Sequence, residues 1–340
     1  MGTLLGVAQP ADALTITPVF QGAFPVAAQN VVNNVITEFQ NDFSNNVSLT
    51  IAFGWGTLNG GAINSGAATV FDTSDFLSPF GPTTGFTLAQ TRALYAAAAA
   101  APGATQVLVT ANATLPAAYP NAGCCGGTTP TNFFIPDAEY KALTGMALDA
   151  DQFDGYTGYA TDFCGVGVPN CAYDFSGGPP PANTIDFQAV VEHELSHAMS
   201  RVDFAFSSSG GNPSPNASPP FLTPQDFFRY DCGTTNLDPR FNTPCFSYDG
   251  GATNPGPRTF SNSSDSGDWI NANNDSFNAF INTGVFAQVS TADILLMCAE
   301  GWNDRAVCGT PAVSAPEPGT LALLGTALLG LAALRRRRRT

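Results

Sequence analysis

The sequence predicts an α+β fold: a mixed β-sheet and a site-bearing helix in an upper lobe, residues 14–206, over a smaller irregular lower lobe, residues 221–310. Three observations predict it. Segments 14–20, 47–55 and 156–163 are rich in β-branched and aromatic residues and alternate with helical patterns at 25–42, 88–101, 137–143 and 186–201. Residues 207–220 are almost entirely Ser, Gly, Asn and Pro, which bury no apolar area, so they read as a surface loop or hinge between the lobes. Beyond them only short strand-like pieces (227–230 and 246–249) and one closing helix (291–300) are legible.

The elements follow in chain order. The strand at 14–20 leads into the helix at 25–42, and the strand at 47–55 gives way to a Gly, Ser, Asn and Thr-rich stretch, 56–82, that reads as loop with short strand pieces. The alanine-rich helix at 88–101 stops at Pro102-Gly103. A Gly and Cys turn region at 119–131 precedes a short strand at 132–135 and a short helix at 137–143. The loop 176–183, with its Gly-Gly-Pro-Pro-Pro run, ends abruptly at the helix 186–201.

Composition limits the function classes. Charged residues are 11% of the chain, far below the usual quarter, and five of the twelve basic residues form the block Arg335 to Arg339, leaving seven against 27 acidic. A body that acidic repels phosphate backbones, so nucleic acid is excluded as a partner. Eight cysteines include three pairs separated by short loops: Cys164 with Cys171, Cys232 with Cys245, and Cys298 with Cys308. Their Gly, Pro and Asn surroundings read as disulfide-closed loops of an exported protein. Residues 1–13 are apolar and end in Ala11-Asp12-Ala13, a small-x-small pattern that reads as a partial signal peptide.

The C-terminus has three parts in fixed order. Pro316-Glu317-Pro318 comes first, then a mostly apolar run from Gly319 to Leu334, then the arginine block. Sixteen helical residues span roughly 24 Å, a marginal membrane segment, and the arginines would hold its end in the cytoplasm. This tail, 314–340, resembles the PEP-CTERM sorting signal of exopolysaccharide-producing Gram-negative bacteria. The resemblance implies recognition by an exosortase-type sorting enzyme, transient anchoring in the inner membrane, and delivery to the cell surface or extracellular matrix.

The segment His193-Glu194-Leu195-Ser196-His197 carries the chemistry. Two histidines one helical turn apart project from one face at a spacing that chelates a single metal ion. Phe187, Val191, Leu195, Ala198 and Val202 form an apolar stripe on another face, so the histidines are expected to open on a cleft. With two histidines and six glutamates in the chain, the motif arises by chance only about once in ten thousand. In it Glu194 is a general base that takes a proton from a metal-activated water, and Zn2+ supplies the Lewis acidity. The third ligand stays open among Asp203, the pair Asp265 and Asp268, and Glu300.

Residues 185–302 resemble exported bacterial metalloprotease-like proteins of the zincin type. The likeness rests on the helix His193 to Arg201, on Gln225 to Tyr230, on Phe246 to Gly251, on Gly267-Asp268-Trp269 and on Leu296 to Trp302. It implies a zincin-like fold and a zinc endopeptidase acting on protein or peptide substrates; the alternative is an inactive zincin-fold structural protein of the surface or matrix. Asp203, six residues after His197, resembles the aspartate of the His, His, Asp site of snapalysin-like metalloproteases, with Ser200 where that pattern has Gly. Tyr230 and Tyr248 are the oxyanion candidates. Asp149, Asp151, Asp154 and Asp174 offer oxygen ligands to Ca2+, at a spacing unlike that of an EF-hand loop.

Overall fold

The structure is a computed structural model that describes residues 13–71, 85–119, 132–150, 152–165, 171–203, 222–237, 244–261, 265–270 and 272–309. The signal-peptide stretch before residue 13, Cys124 and Cys125, Asp151, the loop 207–220 and the C-terminal signal with Pro316, Glu317 and Pro318 lie outside the described residues. The architecture is mixed α+β, with one four-stranded sheet, several two-stranded pairs and seven helices among the described residues.

Strand β1 (Thr15–Gln21) pairs in parallel with β2 (Ser48–Trp55), and helix α1 (Val26–Asp42) makes the crossover between them. A crossover is what a parallel pair requires, and the Val31, Val32, Val35, Ile36 and Phe39 stripe gives α1 a face to bury. After β2 come the small pair β3 (Thr57–Leu58) and β4 (Gly61–Ala62) and the strand β5 (Ala67–Val70). The sheet is completed by β8 (Gly155–Tyr159), parallel to β2 and antiparallel to β5, in the order β1-β2-β8-β5. Strand β5 is therefore an edge.

Between β5 and β8 the chain forms β6 (Phe86–Thr87), α2 (Leu88–Ala100), α3 (Gln106–Thr114), β7 (Asn132–Phe133) and α4 (Asp137–Thr144). Thr87 caps α2 in a box with Gln90, and Thr105 caps α3. Strands β9 (Ala172–Asp174) and β10 (Thr184–Asp186) lead into α5 (Phe187–Met199). Helix α5 packs against α1, β5 and β8, and Gly155 allows the closest approach: a Cβ there would stand 3.1 Å from that of Ala198.

The described residues after α5 are sparse in regular structure. A 3-10 turn (Pro224–Phe228) runs into β11 (Arg229–Tyr230), which pairs with β12 (Cys245–Phe246). Helices α6 (Thr291–Ala299) and α7 (Arg305–Cys308) close the fold. The three expected cysteine pairs are disulfides: Cys164–Cys171, Cys232–Cys245 and Cys298–Cys308. Trp269 and Trp302 are wholly buried in one continuous core. Two of the aspartates considered for Ca2+ have other partners here. Asp154 is paired with Lys141 and accepts from the Thr50 N–H, and Asp174 accepts from the Ser176 hydroxyl at 2.5 Å.

Glu300, the C-cap of α6, and Glu139 of α4 are fully buried near each other's charge. Burial pushes the Glu300 carboxyl from 4.5 up to about 7, and Glu139 moves in the same direction. A carboxyl whose folded pKa lies above its unfolded value favours the folded state while protonated, and that contribution is lost as the pH rises through the folded pKa. Stability measured by urea unfolding should therefore fall between pH 5 and pH 8. Glu300→Gln should remove roughly 3 kcal/mol of that fall; an unchanged pH profile in the variant would contradict the assignment.

Candidate metal centre

Helix α5 starts sharply because the Asp186 carboxylate accepts from the N–H groups of Gln188 and Ala189, at 3.1 and 3.3 Å. From that start, His193 and His197 fall one turn apart, with ring centroids 4.7 Å from each other. Both are buried, at 9% and 5% exposure, rather than open on a cleft as their face of the helix suggests. The cover is a part of the lower region: Ser276 lies on His193, and Asp268 lies on both rings.

The ring nitrogens are sorted by their partners. His193 Nδ1 stands 2.8 Å from the Ser276 carbonyl oxygen, and His197 Nδ1 meets the Arg201 carbonyl oxygen. A carbonyl oxygen only accepts, so each Nδ1 carries a hydrogen and each Nε2 is left to offer a lone pair. The two Nε2 atoms are 3.0 Å apart, and Asp268 Oδ1 stands 3.4 Å from that of His193 and 3.1 Å from that of His197. Ligands on a tetrahedral zinc ion with ordinary bond lengths are about 3.4 Å apart. The three donor atoms thus match a zinc ligand set to within a few tenths of an ångström, and they form the one such group among the described residues.

Arg201 places Asp268. Its guanidinium, wholly buried, donates to Asp268 Oδ1, to the Gly267 carbonyl (3.1 Å), to the His193 carbonyl (3.1 Å) and to Ser196 Oγ (2.8 Å), and it lies 4.4 Å over the Phe277 ring. Gln225 adds a bond to the same Gly267 carbonyl at 2.8 Å. Burial pushes the Asp268 carboxyl up, but His193, Arg201 and His197 outweigh it and hold it well below the usual carboxylate range. Burial pushes His193 down, to about 3, so its ring is neutral, as a metal ligand must be. For His197, burial and Arg201 push downward, and Asp268 reverses the direction, leaving it raised.

The other carboxylate candidates stand elsewhere. Asp203 is in a buried ion pair with Arg229 at 3.1 Å. The chain leaves α5 on the Nδ1 side of His197, where the Arg201 carbonyl sits, and among the described residues the carboxylate grouped with the two histidines is that of Asp268. Ser200 needs no left-handed backbone, since its φ is −174°; its hydroxyl donates to Glu300 Oε2 at 2.6 Å and accepts from Trp302 Nε1 at 3.0 Å. Glu300 is thereby held beneath the helix end. Asp265 shapes the loop by accepting from the Gly267 N–H at 2.8 Å.

Glu194 is 5% exposed, and burial pushes its carboxyl up to about 7, the range in which a base works at neutral pH. Thr69 of β5 contacts it, 2.8 Å from Oε2. Tyr230 and Tyr248 lie on and beside the β11–β12 pair, where both feel the charge of Asp249. The buried Tyr159 and Tyr173 feel the charge of Glu194. Sequence reasoning missed these two, Thr69, and the two arginines; an arginine directly after the histidine-bearing helix, in a body with seven basic residues, was the available signal.

The chain matches the PEP-CTERM protein-sorting motif over residues 314–338. The motif supports export and implies recognition by an exosortase-type sorting enzyme. No curated protein and no solved structure matches the chain. Among the described residues, no helix is long and apolar enough to cross a membrane.

Asp268→Asn should weaken zinc binding, measured by competition with a chromophoric chelator, by more than the roughly 10–100-fold that partners outside the ligand set are worth. Asp203→Asn should leave zinc affinity near that of the wild type while destabilising the fold by about 3 kcal/mol, because it strands the buried charge of Arg229. The reverse pattern would return Asp203 to the ligand set.

Proposed function

We propose that the chain is an exported zinc-dependent endopeptidase with a zincin-like fold, in which His193, His197 and Asp268 hold the metal and Glu194 is the general base. The observation that carries this reading is the convergence of the three donor atoms, 3.0 to 3.4 Å apart, next to a buried glutamate. A zinc ion held there supplies Lewis acidity to a peptide carbonyl and to the attacking water.

The protein's own groups do the rest. The Nδ1 hydrogen bonds of the histidines keep both Nε2 atoms pointed at one spot. Glu194, with its carboxyl raised to about 7, accepts the proton from the attacking water and delivers it to the leaving amine. Strand β5, at the sheet edge and packed along α5, offers backbone groups with which an extended peptide can pair beside Glu194. Burial of the histidines excludes bulk water from the reacting centre.

The sorting motif supports export, and on this reading the disulfide-bonded body is delivered to the cell surface or extracellular matrix of a Gram-negative bacterium after transient anchoring in the inner membrane.

In Glu194→Gln, zinc content by elemental analysis should stay at about one ion per chain, and hydrolysis of an unfolded protein substrate should fall by about a thousandfold. Retained hydrolysis would sink the mechanism. A wild-type chain that binds zinc and cleaves nothing would instead favour the inactive zincin-fold structural protein.

A further inference from the structure

We infer that Thr69, on the edge strand β5, is a positioning residue for Glu194, an inference that rests on the peptidase reading of that glutamate. Its hydroxyl reaches across from the sheet to a helix residue 125 positions later, 2.8 Å from Glu194 Oε2 and 3.0 Å from the Glu194 carbonyl oxygen. The single hydroxyl hydrogen goes to the carboxylate when Glu194 is ionised, because a charged acceptor makes the stronger bond. Among the described residues, Thr69 is the one hydrogen-bond donor to that carboxylate.

The chemistry of a general base gives this contact its meaning. A glutamate has three side-chain torsions, and a base must hold one carboxylate oxygen still while the other receives the proton. Thr69 fixes Oε2 and leaves Oε1 for the proton. Threonine suits the task because its branched side chain is stiff at the first torsion. Its backbone is also held, since Thr69 stands directly opposite Thr157 in the antiparallel β5–β8 ladder. The acceptor is thus on the helix and its restraint on the sheet, so the base is oriented by the packing of α5 on β5.

Thr69→Val removes the donor and keeps the shape, whereas Thr69→Ser keeps the donor. In the zinc-loaded full chain, the valine variant should lose about ten- to hundredfold in kcat with KM and zinc content unchanged, and the serine variant should recover most of the loss. A second measurement needs neither metal nor activity. In metal-free protein carrying 13C-labelled glutamate, the Glu194 carboxyl resonance, assigned among six by Glu194→Gln, should move in Thr69→Val and return in Thr69→Ser. Thr69→Ala replaces the valine variant if valine does not fold. A resonance indifferent to loss of the hydroxyl, an undiminished kcat, or a serine variant as damaged as the valine one would overturn the assignment. A wild-type chain without hydrolysis would overturn the peptidase reading instead, and the resonance would still report whether Thr69 holds the carboxylate.

Discussion

The guanidinium of Arg201 joins two parts of the chain that the site requires to meet. It reaches the Ser196 hydroxyl and the His193 carbonyl on α5, and the Gly267 carbonyl and Asp268 carboxylate on a segment more than sixty residues later. Taking an arginine wholly out of water costs several kcal/mol unless its donors are matched, and here four acceptors and the Phe277 ring match it. The same contact settles the charge. Asp268 is balanced by Arg201, and its Oδ1 stands within 3.4 Å of the Nε2 atoms of both His197 and the neutral His193. A cation of the protein thus satisfies the one strong anion of the cluster.

A second buried arginine holds the nearer aspartate, which lies outside the three-donor cluster. Arg229 lies over the Phe260 ring, donates to the Ser266 carbonyl and pairs with Asp203. The Ser266 hydroxyl in turn donates to the Asp203 carbonyl at 3.3 Å. Asp203 and Arg229 therefore grip the start of the segment that ends in Asp268, and Arg201 grips its end. The two aspartates act on one loop from opposite sides of the chain. One is held there to neutralise a buried arginine, the other to face the histidines.

What was legible in the sequence was what local periodicity writes. Helix α5, with its Asp186 cap and its histidines one turn apart, depends on residues within one segment, as do α1, α2, α4 and the three short-range disulfides. Helix α3 went unread because Val107, Val109 and Thr110 favour extended structure; its Thr105 cap and its packing on α2 and α6 override that preference. The strand expected at 132–135 shortens to β7, and the one expected at 156–163 ends at Tyr159, four residues early. Asp268 was among the named candidates, but which of Asp203, Asp265, Asp268 and Glu300 comes beside the histidines was not legible, for a different reason. The place of Asp268 is set by a guanidinium bridge between distant segments, and no spacing in the chain encodes such a bridge.

The distribution of positive charge accounts for the character of the lower region. Seven basic residues lie outside the arginine tail, and four of them, Lys141, Arg201, Arg229 and Arg258, are paired with buried aspartates. The described residues between 222 and 289 hold little regular structure, so few of their backbone groups are satisfied by sheet or helix ladders. Buried arginines answer that need. Each offers five donors in a fixed plane, enough to bind several acceptors at once: Arg201 donates to the Gly267 and His193 carbonyls, and Arg229 to the Ser266 carbonyl. Carboxylates then keep those arginines from lying unpaired in the core. An irregular region built this way is held by directional bonds as well as by buried apolar side chains such as Phe246, Phe260, Trp269 and Phe277. That is the condition under which a loop aspartate can be held within a few tenths of an ångström of a ligand position.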